Sequence, residues 1–180
     1  MSELVTERLL LVPWEERFKD ELARLTSDPL VHRYLADGRP WDAEFVEQRH
    51  RVYLEHWRAH GFGWRGILGD GAFLGVAVLA YAGTRFPGVE SSAFEIGWWL
   101  YPRYWGRGFA VEAATAVRDD AFERLGAERV VARFWPENAA SERVAIRLGM
   151  RVEREAVGAS GERIRICVLD RDDWERHRSA

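Results

Sequence analysis

Four groups in this sequence have types and spacings suited to chemistry, and all lie between Glu95 and Ser141. The first is the run Trp105-Gly106-Arg107-Gly108-Phe109-Ala110, which joins an apolar, strand-like segment to a helix-like one. A loop that opens directly into a helix leaves backbone N–H groups unpaired at the positive end of the helix dipole. That is the geometry of a phosphate site. Gly106 and Gly108 permit close backbone approach to such an anion, and Arg103 and Arg107 add charge-assisted contacts. The second group is Glu95, set in an apolar strand where an unpaired carboxylate is costly and its pKa is expected to rise. Such a carboxylate can act as a general base on an ammonium, directly or through water. A structural carboxylate paired to an arginine or turned to solvent is the competing reading. The third and fourth are Asn138, a helix N-cap, and Ser141 one turn further on, which is open equally to local backbone bonding.

These groups need elements to hold them. Residues 93–101 read as the strand that carries Glu95. Residues 109–125 read as the clearest helix, with Ala110, Ala113, Ala114, Val117, Ala121 and Leu125 as its apolar stripe and Gly126 as its stop. Residues 129–135 read as a strand, and a helix capped by Asn138 runs to Leu148. Upstream, residues 6–13 read as a first strand stopped by Pro13. Phe18, Leu22 and Leu25 recur at helical spacing. Asp28 and Pro29 open a short helix running to Leu35, and Asp42 caps a longer one ended by Gly61. Residues 64–68 and 72–81 form a hairpin around Gly69-Asp70-Gly71. Residues 83–92 are a polar connection. Residues 150–157 and 163–169 are two strands around Gly158-Ala159-Ser160-Gly161, and a last helical turn surrounds Trp174. The order of elements predicts one mixed α/β domain, residues 1–180, on a single central sheet.

Several functions are excluded by pattern. A dinucleotide loop of the Rossmann type needs Gly or Ala where Val111 stands, and no Gly-Lys-Ser/Thr is present for a P-loop. His56 and His60 are four residues apart, but no third ligand is in register, so no metal is expected. The 180 residues are 47% hydrophobic and 31% charged with a net charge of −3, which describes a globular chain with no global pull toward nucleic acid or an anionic membrane. Cys167 is the only cysteine and reads as a buried strand residue, consistent with a reducing, cytoplasmic setting. No segment has the length and apolarity of a membrane span.

The run at residues 105–110 resembles the acyl-CoA pyrophosphate loop of the GNAT acetyltransferases. Glu95-Ile96-Gly97-Trp98-Trp99-Leu100 before it and Val111-Glu112-Ala113-Ala114 after it resemble the RimJ/RimL branch of that family. So do Thr6-Glu7-Arg8-Leu9, Ser27-Asp28-Pro29, Asn138-Ala139-Ala140-Ser141 and Leu148-Gly149-Met150. These matches span nearly the whole chain in order. Two positions depart: Trp105 replaces Gln/Arg, and Ala145 stands where many members carry a tyrosine that protonates the leaving thiolate.

The resemblance implies a GNAT fold, a twisted, mainly antiparallel sheet with helices on both faces, and acetyl-CoA as co-substrate. It implies binding through Trp99, Leu100, Arg103, Trp105, Gly106, Arg107, Gly108, Phe109, Ala110 and Asn138, with Glu95 and Ser141 catalytic. The 3′-phosphate falls to the arginines, the pantetheine arm to Asn138, and the CoA sulfur to Ser141. The acceptor is a primary amine, a protein N-terminal α-amine foremost. A small amine such as an aminoglycoside or polyamine is the alternative, as is a non-catalytic acyl-CoA binder. No nucleic acid or membrane partner is implied, and a homodimer is compatible. The aromatics Tyr34, Trp41, Phe45, Tyr53, Trp57, Phe62 and Trp64 read mostly as core. The interleaved Asp28, Asp37, Asp42, Glu44 and Glu47 are compatible with an open edge for a cationic amine. The resemblance implies that this region and the loop near residues 158–162 shape the acceptor pocket.

Overall fold

The structure, a computed structural model, describes residues 3–83, 86–158 and 161–178. Its strands are β1 (Leu4–Val5), β2 (Leu10–Pro13), β3 (Arg65–Gly69), β4 (Ala72–Tyr81), β5 (Phe94–Leu100), β6 (Arg129–Phe134), β7 (Arg151–Val157) and β8 (Arg163–Asp170). Its helices are α1 (Lys19–Ser27), α2 (Pro29–His32), α3 (Ala43–His60), α4 (Phe109–Glu123), α5 (Ala139–Arg147) and α6 (Arg171–Arg178). Single 3₁₀ turns at Glu16–Phe18 and Pro102–Tyr104 lead into α1 and into the loop before α4.

Local chemistry sets many of the boundaries. Asp28 accepts from the Leu30 N–H at 2.9 Å, Asp42 from Phe45 at 2.8 Å and Asn138 from Ser141 at 3.1 Å. Each carboxylate or amide thus satisfies a donor that the helix itself leaves unpaired. Asp70 and Gly71, with φ of 48° and 75°, join the paired residues Gly69 and Ala72 in a two-residue hairpin turn.

The eight strands form one sheet in the order β1-β2-β3-β4-β5-β6-β8-β7. Every neighbouring pair is antiparallel except β5 and β6, which are parallel and joined by the α4 crossover. β5 pairs with β4 along its whole length, from Phe94↔Tyr81 to Leu100↔Gly75. It meets β6 only at Phe94↔Val130 and Glu95↔Val131. Past Glu95 the two strands part, and the middle of the sheet opens as a wedge.

Alternation along β5 assigns its side chains to two layers. Phe94, Ile96, Trp98 and Leu100 pack with Ala113, Val117 and Leu148 in the core beneath α4 and α5. Trp99 packs on the other face with Val76, Val78, Tyr53 and Trp57, beneath α1 and α3. Glu95 and Gly97 share that second face.

Three elements differ from the sequence expectation. The helix opened by Asp28 ends at His32 rather than Leu35, and the chain continues in turns. Residues 6–13 do not form a continuous strand, because Thr6 turns back to bond the Leu9 carbonyl at 2.9 Å through its N–H. The Arg8 N–H is spent on a side chain of α4 rather than on a ladder. The last helical turn is an eight-residue helix, α6, held by Trp174 stacking on Phe122 with ring centroids 4.8 Å apart. The Gly158–Gly161 turn and the 83–92 connection are described only in part, since residues 159–160 and 84–85 lie outside the described residues. Cys167 is fully buried, and burial raises its thiol pKa to about 11. It is a core residue.

Candidate active site

The wedge between β5 and β6 continues into a cleft of about 630 Å³. One wall descends from the end of β5. There the Trp105 indole N–H donates to the Leu100 carbonyl at 2.8 Å, folding the loop back onto the strand it has just left. Gly106 and Gly108 have φ of 71° and 82°, a region that costs any residue with a Cβ. Gly108 is also the N-cap of α4 and offers no side-chain acceptor. The first N–H groups of a 15-residue helix therefore lack a capping side chain. Gly106, Gly108, Phe109, Ala110 and Val111 all line the cleft, so this positive helix end faces it.

Glu112 sits in the first turn of the same helix and would work against an anion there. It is neutralised instead. Its carboxylate accepts from the Thr6 hydroxyl at 2.6 Å, the Arg8 N–H at 2.8 Å and the Arg8 Nε at 2.7 Å. Partial burial acts to raise its pKa, but these hydrogen bonds and the Arg8 charge outweigh burial and hold it below the ordinary value. Arg8 also donates through Nη1 to the Arg107 carbonyl at 3.0 Å, and lies over the Phe109 ring at 4.6 Å. One arginine thus braces both the loop and the helix start.

The opposite lip of the wedge comes from α5. Asn138, Ala140, Ser141, Arg143, Val144 and Arg147 line it. Asn138 Oδ1 caps the helix through the Ser141 N–H, which leaves the Ser141 hydroxyl at the cleft. Ala145 is fully buried in the core, so at this position the chain presents packing surface and no hydroxyl.

The far wall, on the α2–α3 face, is aromatic. Trp41 stands edge-on to Phe45 at 4.9 Å and to Trp99 at 5.8 Å, and Tyr34 meets Trp135 at 6.3 Å. All five rings line the cleft. Glu95 enters from the branch point of the strands with its side chain 13% exposed. Arg133, two residues further along β6 from Glu95's register partner, lies 3.7 Å from Glu95 Oε1 and 3.7 Å from Glu162 Oε1. The arginine-paired reading of Glu95 therefore holds within a cleft-lining trio.

Of the twelve residues singled out in sequence, Glu95, Trp99, Leu100, Trp105, Gly106, Gly108, Phe109, Ala110, Asn138 and Ser141 line this one cleft. Arg103 and Arg107 do not. Arg103 packs over Tyr101 and Tyr104 at 4.4 and 4.8 Å, and Arg107 over Phe109 at 5.0 Å. None of the acids expected at the acceptor edge lines the cleft, and three of them are engaged locally: Asp28 and Asp42 cap helices, and Glu47 pairs with Lys19 and Arg51. Arg133 and Trp135 escaped sequence reading because they sit in an ordinary strand pattern. Only the wedge brings them to Glu95. His56 and His60 pack on Phe62 and Tyr81, with His56 Nδ1 donating to the Phe62 carbonyl at 2.8 Å.

A sheet that splits beside a helix N-terminus, with a largely buried carboxylate at the fork, puts an anion site and a candidate base along one cleft, as an acyl-CoA-dependent transferase requires. The comparisons agree. Residues 8–151 match the model of the acetyltransferase (GNAT) domain. The chain is 32% identical over 151 residues to the FsC-acetyl coenzyme A-N(2)-transacetylase of Aspergillus fumigatus, covering 82% of this chain and 64% of that protein. It therefore spans less than two thirds of that relative's length. A solved acetyltransferase from Agrobacterium tumefaciens superposes with a TM-score of 0.79 at 29% identity, covering 94% of each chain. RimL, the ribosomal L7/L12 alpha-N-protein acetyltransferase solved with coenzyme A, shares the fold at a TM-score of 0.73 and 18% identity, over 96% of this chain and 99% of that one.

The chain belongs to the GNAT acetyltransferase family.

Proposed function

We propose that this protein transfers acetyl from acetyl-CoA to a primary amine in a ternary complex, with Glu95 as base and Ser141 assisting the thiolate. The observation that carries the reading is the two-residue contact between β5 and β6 beside an uncapped α4 N-terminus. This arrangement suits a long, anion-tailed donor threaded through the wedge. The N–H groups from Gly106 to Ala110 receive the pyrophosphate, Asn138 lies along the pantetheine arm, and Arg143 and Arg147 lend charge at the same lip. Past Glu95, the edge of β5 turned toward β6 has no strand partner, so the Trp98 and Leu100 N–H groups, which alternation points away from β4, are available to polarise the thioester carbonyl.

The proposed chemistry balances simply. Glu95 takes a proton from the ammonium, the freed nitrogen forms the C–N bond, and the C–S bond breaks. Ser141 donates a hydrogen bond to the departing thiolate, and the second amine proton balances its charge.

An N-terminal α-amine, as in the RimJ/RimL branch, is the leading acceptor, in a cytoplasmic setting. The second reading is a small-molecule amine. It is favoured by the enclosed aromatic wall and by the Aspergillus relative's name. Thiol release from acetyl-CoA, assayed across N-terminal peptides and small amines, tests the proposal. Turnover is expected with at least one class. Binding of acetyl-CoA without turnover on any amine supports a non-catalytic binder instead.

A further inference from the structure

The acceptor side of the cleft carries a charge pattern that limits what can bind there. Arg133 is shared between Glu95 and Glu162, at 3.7 Å from each, so two carboxylates flank one guanidinium there. Among the described residues, the other charged group on this face is Arg49. It is half-buried on α3, lines the cleft, and lies over the Tyr53 and Trp64 rings at 5.1 and 5.8 Å. Among the described residues it makes no ion pair and donates no hydrogen bond, whereas most arginines of this chain are matched to a carboxylate. Arg49 is therefore held in place by ring faces with its donors unspent. The indole N–H of Trp41, on the same wall, is also buried without an acceptor among the described residues.

Resting on the acetyltransferase reading above, we propose that the acceptor is a zwitterionic amine with an aromatic or bulky apolar body. Its ammonium meets the Glu95–Arg133–Glu162 trio, and its anionic group meets Arg49. The body lies against Trp41, Phe45 and Trp99. Carboxylates and a guanidinium lining one cleft with an aromatic wall complement a molecule that carries both charges on an apolar body, and a guanidinium prefers a carboxylate or phosphate partner. A polycation would bring further positive charge into a cleft that Arg49 already lines. The shared chemistry has two sources: a free aromatic amino acid, or a peptide whose N-terminal residues are apolar and acidic.

The test is binding to the CoA-loaded protein, read by isothermal titration calorimetry, so that it does not depend on turnover. Probes are phenylalanine against phenethylamine, tryptophan against tryptamine, the peptide Phe-Asp-Ala-amide against Phe-Asn-Ala-amide, and spermidine. In at least one pair the anion-bearing member should bind roughly tenfold or more tighter, the scale of one charge-assisted pair. The pair that shows the difference names the source. Arg49→Gln should abolish the difference, and Arg49→Lys should keep most of it. Equal binding within every pair, tighter binding of spermidine, or a preference that survives in Arg49→Gln would overturn the proposal. Thiol release with the same amines is scored separately: its failure on all of them counts against the transferase reading, while the binding ratio still decides the role of Arg49.

Discussion

Arg8 and Glu112, separated by 104 residues, form the brace that fixes the start of α4: Arg8 Nε donates to Glu112 Oε2 at 2.7 Å. The same guanidinium donates to the Arg107 carbonyl. Binding that carbonyl from outside leaves the N–H groups of the loop for the cleft. A charged residue that would repel a phosphate is thereby turned into part of the loop's support.

Breaking this brace should weaken the donor site before it unfolds the chain. Glu112→Ala removes the acceptor of three donors and is expected to cost about 1–3 kcal/mol of stability. Arg8→Ala should raise the KM for acetyl-CoA several-fold with little change in kcat. Thermal melts and steady-state kinetics check the two effects.

The Glu112 carboxyl also sets a pH dependence. Its pKa is lower in the folded chain than in the unfolded one, so its contribution is fully present above the ordinary carboxylate range. That contribution is lost as pH falls through the depressed folded value. Denaturant titrations should therefore show a gap between wild type and Glu112→Gln at neutral pH that closes on acidification.

Glu95→Gln keeps shape and removes the base. On the proposed mechanism kcat should fall roughly 10²–10⁴-fold at neutral pH, the scale of general-base catalysis. Activity should recover in part at high pH, where the amine loses its proton unaided. The KM for acetyl-CoA should stay near its wild-type value. An unchanged pH–rate profile would remove Glu95 from the role of base.

Asn138 and Ser141 separate cap from chemistry. Asn138→Ala loses the bond to the Ser141 N–H and should cost about 1 kcal/mol of stability. Ser141→Ala leaves that cap intact, because the bond uses the backbone N–H. Its stability should be unchanged while thiol release slows. Equal loss of stability in both variants would assign Ser141 to the helix alone.

What could be read from sequence was local. Asp28, Asp42 and Asn138 cap their helices because a side-chain oxygen two or three residues from an N–H needs no tertiary context. Asp70-Gly71 turns because both residues tolerate positive φ. The donor loop was legible for the same reason, its glycines and helix start being contiguous. The break at Thr6–Leu9 was not legible, since it depends on Glu112 far along the chain. Nor was the Glu95–Arg133–Glu162 trio, which three separate segments contribute and only the diverging strands bring together. Nor does composition reveal that Asp28, Asp42 and Glu47 of the N-terminal third are spent on caps and surface pairs.

The central claim is that the glycine loop opening α4 receives the acyl-CoA pyrophosphate. Isothermal titration of acetyl-CoA against wild type and Gly108→Val, with melting curves to confirm that the variant is folded, tests it directly. A Cβ at Gly108 meets a φ of 82° and lies 3.2 Å from an Arg8 side-chain nitrogen, so both the loop and its brace must shift. Saturable binding by wild type and a loss of roughly tenfold or more in the folded variant are predicted, as expected when oriented N–H groups are displaced from a phosphate. Equal affinity in the two proteins would contradict the account.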